Sequence, residues 1–227
     1  MNAATYLARE LASKRLAYSQ LVTAVRAFQR SNGLLADGKP GPKTRAALAR
    51  LLAPPAADHG GSALGLAALE IAKAEIGNGE ERQNNDGPHV ARYHGKKDDK
   101  LPDGNWCAAF VGYCYQQAAK KLDRKLPFKR TGGAKLLGKR AAKAGIAVEV
   151  EDIQAGDILW WDRGKRGDWK GHIEIAATAI DPATGVVHTV AGNVGRFPAK
   201  VRYRTHDLLH DDRFEGAARL PDEEATT

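Results

Sequence analysis

The sequence predicts an α+β protein, and three observations carry that prediction. Apolar residues recur at helical spacing up to about residue 144, and strand-like alternation takes over from 148 to 205. A break rich in Pro, Gly and small residues, LLAPPAADHGGSALG (51–65), sets a short helical segment apart from the rest. Helices followed by an antiparallel meander make one α+β domain, here preceded by a small three-helix domain. The expected layout is a helical domain at 1–53, a linker at 54–62, the α+β domain at 63–215 and a polar C-terminal tail at 216–227.

In the first domain, Ala3, Leu7 and Leu11 share a face of the first helix. Leu21, Val22, Val25, Phe28 and Gln29 follow helical spacing in the second. The third runs from about Pro42 to Leu52, with Pro42 in the first turn, where a missing N–H costs nothing, and Ala46, Ala47, Leu48 and Leu51 inward. Between the last two lies SNGLLADGKPGPKT (31–44). Asn32-Gly33 stops a helix through a left-handed residue, and Asp37-Gly38 and Pro40-Gly41-Pro42 add two turns.

In the second domain, ALGLAALEIAKAEIG (63–77) reads as an amphipathic helix with Leu66, Leu69 and Ile76 inward. An irregular polar stretch, 78–105, leads into a helix from Cys107 to about Lys121, and a basic helix follows at about 132–144. Five strands are then expected: VEVEDI (148–153), DILWW (157–161), HIEIAATAI (172–180), VVHTVAGN (186–193) and KVRYRT (200–205). Asp181-Pro182-Ala183-Thr184-Gly185 is a hairpin-type connection.

The formal net charge of +8 is unevenly spread. Residues 1–60 hold nine Lys/Arg against three Asp/Glu, whereas 61–227 hold 26 against 24. A basic module beside a near-neutral one implies an anionic target for the first: nucleic acid, membrane surface or cell-wall polymer. The 14-residue connection argues against a helix-turn-helix DNA reader, which needs a short turn. Nothing approaches the roughly 18 apolar residues of a membrane span. Arg9, Glu10, Lys14 and Arg15 interrupt any signal-peptide core, so a role outside the cytoplasm would need another exit route. Cys107 and Cys114 lie roughly 10 Å apart along one helix, too far for a disulfide, and two cysteines cannot make a thiolate zinc site.

Cys107 follows Gly104-Asn105-Trp106, with Asn105 the expected N-cap. There, free N–H groups and the helix dipole favour a thiolate and offer an oxyanion site. By itself Cys107 fits a core position and a nucleophile equally, while Cys114, two turns on, reads as core. A thiolate needs a base, and His172 opens a strand beside a Gly-rich loop, at the rim where a ligand reaches. His188, His206, His210, His59, His89 and His94 read as structural or surface. Asn193 ends the next strand and is placed to orient the His172 ring. Glu174 shares a face with His172, but roughly 7 Å along the strand suits it to tuning the site rather than orienting the ring. Trp106, Trp161 and Trp169 are candidate platforms for substrate.

AVRAFQRSNGLLADGKPGPKTRAAL (24–48) resembles the peptidoglycan-binding domain of many bacterial and phage cell-wall hydrolases, with its turn signals in that family's order. Over about residues 63–205 the chain resembles the CHAP family of cysteine, histidine-dependent amidohydrolases and peptidases. The motifs are NNDGPHVARY (84–93), GNWCAAFVGYC (104–114), AGDILWWDRG (155–164), GHIEIA (171–176) and AGN (191–193). That resemblance implies a papain-like fold, with Cys107, His172 and Asn193 as catalytic residues and Glu174 as an auxiliary. Many members carry Glu two residues before the Asn position; here it is Ala191. Some bind calcium upstream of the cysteine, where Asp98, Asp99 and Asp103 lie without EF-hand spacing; a solvated acidic loop and no cofactor are expected.

The implied activity is cleavage of a peptidoglycan amide bond, at N-acetylmuramoyl-L-alanine or within the stem peptide, by an endolysin-like monomer. It would bind no nucleic acid, insert in no membrane, and reach the wall from the cytoplasm through a holin or a secretion system. The alternatives are a secreted antibacterial effector with the same chemistry and a non-catalytic peptidoglycan-binding protein.

Overall fold

The computed structural model describes residues 18–31, 33–45, 61–96 and 99–222. The chain divides into two compact units, Met1–Ala57 and Asp58–Thr227. Among the described residues no helix is long and apolar enough to cross a membrane.

In the first unit, α1 (Tyr18–Ser31) buries Val25, Phe28 and Gln29, as its spacing predicts. Gln29 organises the following loop: its Nε2 donates to Asp37 Oδ1, the Lys39 carbonyl and Thr44 Oγ1, and its Oε1 accepts from Gly38 N, all at 2.8–2.9 Å. One buried amide thus satisfies a loop that has no ladder of its own. Gly38 holds φ +76°, and a Cβ there would meet Val22 at 2.7 Å. Residues 42–45 are helical, starting at Pro42. The expected first helix, the end of the third and most of the linker lie outside the described residues.

The second unit is α+β. Helices α2 (Ala63–Ala74), α3 (Pro88–His94), α4 (Cys107–Lys121) and α5 (Ala134–Ala144) precede a six-stranded sheet. The strands are β1 (Ile146–Val148), β2 (Ile158–Asp162), β3 (Gly171–Ala176), β4 (Val186–Val194), β5 (Lys200–Asp207) and β6 (Phe214–Arg219), antiparallel in the order β1-β6-β2-β3-β4-β5. The cysteine helix set against a β-meander is the papain-like arrangement that the resemblance implies.

Alternation assigns the two faces of the sheet. Ile158, Trp160, Ile173, Ile175, Val190 and Ala218 share a core with Leu64, Leu69, Phe110, Tyr115 and Leu137 of the helices. Leu159, Trp161, Ala176, Val187 and Ala217 form a second cluster on the other face with Ile153, Ile180 and Leu208.

Four expectations need correction. The supposed tail contains most of β6, which pairs with both β1 and β2. Its FEGAAR sequence lacks the bulky β-branched residues that mark a strand, because Gly216 lies under the Trp160 ring, where an added Cβ would meet Cζ2 at 2.6 Å. Of the first expected strand, 148–153, only Val148 is strand, as the last residue of β1, and Val150–Asp152 forms a 3-10 turn. The stretch 78–105 is not irregular throughout, since α3 buries Val90, Tyr93 and His94. Ile76 lies past the end of α2 and is 38% exposed.

Candidate active site

Helix α4 begins at Cys107, and the residue at its N-cap position is Trp106, which makes no side-chain cap. The expected cap, Asn105, instead accepts a 3.2 Å hydrogen bond from Asn193 Nδ2 through its Oδ1. The first intrahelical bond is Phe110 N to the Trp106 carbonyl, so the N–H groups of Cys107, Ala108 and Ala109 precede the helical ladder. Trp106 fixes this turn from below. It is fully buried, stacks on Tyr93 at 5.5 Å, and donates from Nε1 to Glu80 at 3.2 Å. Glu80, itself fully buried, also accepts from Asn85 N and Ala199 N. Gly192 on β4 lets the turn approach: a Cβ there would lie 2.7 Å from Phe110 Cβ and 2.8 Å from Trp106 Cζ3.

Strands β3 and β4 pair only at Ile175↔Val190 and Ala176↔Thr189. Extended further, that register would set His172 opposite Asn193, but the ladder stops and the strands part at the end carrying both. Cys107 and His172 shift each other's protonation. Burial pushes the Cys107 thiol up, but contact with His172, its charge and the Arg163 guanidinium outweigh burial, and the thiol lies below its ordinary value. Burial opposes the His172 imidazolium, yet Cys107 and Glu174 outweigh it and raise the ring above its ordinary value. Cys114, seven residues along α4, is pushed well up by burial and by Glu75. One helix therefore carries a thiol shifted down and a thiol shifted up.

Glu174 Oε1 lies 3.1 Å from Nε2 of the His172 ring, close enough for an ion pair with the protonated ring, although neither ring nitrogen has the geometry of a hydrogen bond. Asn193 does not fill that place; its side chain is committed to Asn105, and its backbone is left-handed at φ +59°. The separation of roughly 7 Å along a strand does not keep Glu174 from the ring, because the two side chains lean together on one face. Glu174 is fully buried, and four groups surround its carboxylate. His172 and Arg204 Nη1 (2.7 Å) face Oε1, while His206 Nε2 (2.8 Å) and the Thr189 hydroxyl bind Oε2. Burial alone would raise this carboxyl; His206 and His172 hold it well below its ordinary value.

Among the expected platforms, Trp106 and Trp161 are interior. Trp161 is 5% exposed, stacks on His206 at 4.4 Å, and donates from Nε1 to Asp211 at 2.9 Å. Both indoles adjoin a candidate site residue, Trp106 next to Cys107 in sequence and Trp161 opposite His172 across the β2–β3 ladder, but packing takes their faces before a substrate can. Trp169 is 75% exposed, on the β2–β3 loop. Asp162 shapes that loop by accepting from Lys135 Nζ at 2.5 Å and Gly167 N at 2.9 Å. Sequence reasoning missed Arg163, one residue past β2, whose charge acts on both Cys107 and Glu174. It also missed His206, whose position two residues after Arg204 on a strand was the available signal.

Asp99 accepts from Arg130 Nη1 at 2.8 Å and Gln116 Nε2 at 2.6 Å, and Asp103 pairs with Lys100 at 3.4 Å; Asp98 lies outside the described residues. Among the described residues no three His, Cys, Asp or Glu side chains converge as metal ligands would.

Comparison with known proteins divides the chain the same way. Residues 18–48 match the family model "Putative peptidoglycan binding domain", and residues 97–193 match the model "CHAP domain". No curated protein matches. Among solved structures the chain is similar to "Structure of NlpC2 from Trichomonas vaginalis", at 15% identity and a TM-score of 0.43, over 71% of this chain and 48% of that one. The chain spans about half the length of that structure.

Proposed function

We propose that this chain, with a CHAP domain match joined to a peptidoglycan-binding domain match, is a peptidoglycan hydrolase that uses Cys107 as its nucleophile. The observation that carries the reading is the placement of Cys107, buried at the first position of α4 beside N–H groups free of the helical ladder, together with the buried His172 and Glu174 side by side on β3. The peptidoglycan-binding match at residues 18–48 supplies the substrate class.

Glu174 faces Nε2 of His172, which leaves Nδ1 for the thiol. His172 takes the Cys107 proton, and the thiolate attacks the amide carbonyl carbon. The oxyanion is held by N–H groups of the first turn of α4, which have no intrahelical acceptor. Collapse breaks the C–N bond as the imidazolium gives its proton to the leaving amine. Water, deprotonated by His172, then cleaves the thioester. Glu174 stabilises the imidazolium in both halves of the cycle. The bond cut is N-acetylmuramoyl–L-alanine or a stem-peptide link, and an endolysin that reaches the wall through a holin is the biological setting we favour.

Cys107→Ala should abolish release of soluble fragments from purified peptidoglycan while the variant still sediments with it. Mass spectrometry of the wild-type digest identifies the bond. Full fragment release by Cys107→Ala would refute the proposal.

A further inference from the structure

We propose that His206, together with Thr189, is a positioning residue for the catalytic pair, acting through Glu174. The inference rests on the cysteine-hydrolase reading and adds a residue that touches neither nucleophile nor base.

Register places the groups. Thr189 on β4 lies opposite Arg204 on β5, and Val187 lies opposite His206. Glu174 is on β3, one strand further, and adjacent strands lie about 4.8 Å apart. A side chain on β5 therefore reaches Glu174 only by crossing β4. Thr189 and Ala191 are small enough to leave that path open, and both are fully buried. Arg204 and His206 both cross it.

The four contacts divide between the two carboxylate oxygens. Oε1 faces His172 and Arg204; Oε2 is held by His206 and the Thr189 hydroxyl. Rotation about the terminal bond moves both carboxylate oxygens together, so a bond that holds one also orients the other. The bonds to Oε2, with the Arg204 bond to Oε1, therefore keep Oε1 facing Nε2 of His172. His206 is held in turn by the Trp161 ring, and Trp161 by Asp211. The charged groups facing His206 are Glu174 from β3 and Arg204 from its own strand, with Asp211 behind Trp161 and Arg163 acting on Glu174. His206 donates to a carboxylate, so its Nε2 carries a proton in this arrangement.

The reactivity of Cys107 reports the arrangement without any substrate. The test is the rate of iodoacetamide alkylation of the full chain from pH 4 to 9, with Cys107→Ala giving the contribution of Cys114. His206→Phe keeps a ring on Trp161 but removes the donor. Its alkylation inflection should rise by about one pH unit, which lowers the rate near pH 6 by about five- to tenfold. His206→Gln keeps a donor near the Nε2 position and should stay within about twofold of wild type. Thr189→Val, nearly isosteric, removes the other bond to Oε2 and should move the inflection in the same direction; it also serves if His206→Phe does not fold. An unmoved inflection in the folded variants, or equal shifts for His206→Phe and His206→Gln, would overturn the positioning role alone. A wild-type Cys107 no more reactive near pH 6 than an unfolded-chain thiol would overturn the cysteine reading and this inference together.

Discussion

Gly192→Ala is a one-carbon test of how the nucleophile is placed. The added Cβ would lie 2.7 Å from Phe110 Cβ, 2.8 Å from Phe110 Cγ and 2.8 Å from Trp106 Cζ3. Neither neighbour has room to yield, since both are fully buried and both pack on Tyr93, at 5.2 Å and 5.5 Å. The first turn of α4 must therefore move away from β4 by several tenths of an ångström. Overpacking of this kind costs about 1–3 kcal/mol. In a unit of this size that lowers Tm by roughly 2–12 °C, at about 2–4 °C per kcal/mol. Cys107 follows Trp106 directly and moves with the turn, whereas His172 stays with β3. A misplacement approaching 1 Å can cost about 100-fold in rate, so activity should fall at least tenfold at 25 °C, where the variant remains folded. Thermal unfolding by circular dichroism and fragment release from peptidoglycan, run on the same preparation, separate the two effects. A variant with wild-type Tm and wild-type activity would refute the claim that contact with β4 seats the nucleophile.

Two further predictions concern the ring partner and pH. Asn193→Gly removes the bond to Asn105 and suits the left-handed backbone, so kcat/KM should stay within about tenfold of wild type; a loss of 1,000-fold or more would restore Asn193 as the orienter of His172. Because the folded Glu174 carboxyl lies well below its ordinary value, its stabilising effect is present above the unfolded value of about 4.3 and is lost as pH falls through the folded one. Urea titrations between pH 2 and 7 should show Glu174→Gln less stable at neutral pH, by about 3–5 kcal/mol, with a shallower acid limb than wild type. An acid limb as steep as that of wild type would exclude this carboxylate as its source.

The fold class, the order of the elements and the identity of Cys107 and His172 as the reactive candidates were legible because each depends on local chemistry. Helical spacing marks α4, Gly104-Asn105 marks its start, and alternation marks β2 through β5. The last strand was illegible because FEGAAR is shaped by what lies across from it: Gly216 accommodates the Trp160 ring, and no property of the segment alone announces that. Trp106 and Trp161 looked like platforms because sequence shows proximity to a motif but not which side of a residue is already packed.

The third member of the site could not be decided along the chain. Asn193 is the residue that register and family pattern favour, but the β3–β4 ladder ends at Ile175↔Val190 and its side chain turns to Asn105. Glu174 takes the ring instead, held by groups 15, 30 and 32 residues away on β4 and β5. Sequence by itself singled out the candidate nucleophile, the candidate base and the helix that sets one cysteine of two apart, since helix termini and strand faces follow from neighbours a few residues apart. Tertiary structure alone decided what lies against the His172 ring, because a buried carboxylate's partners are set by which strands lie side by side and which intervening residues are small enough to reach across.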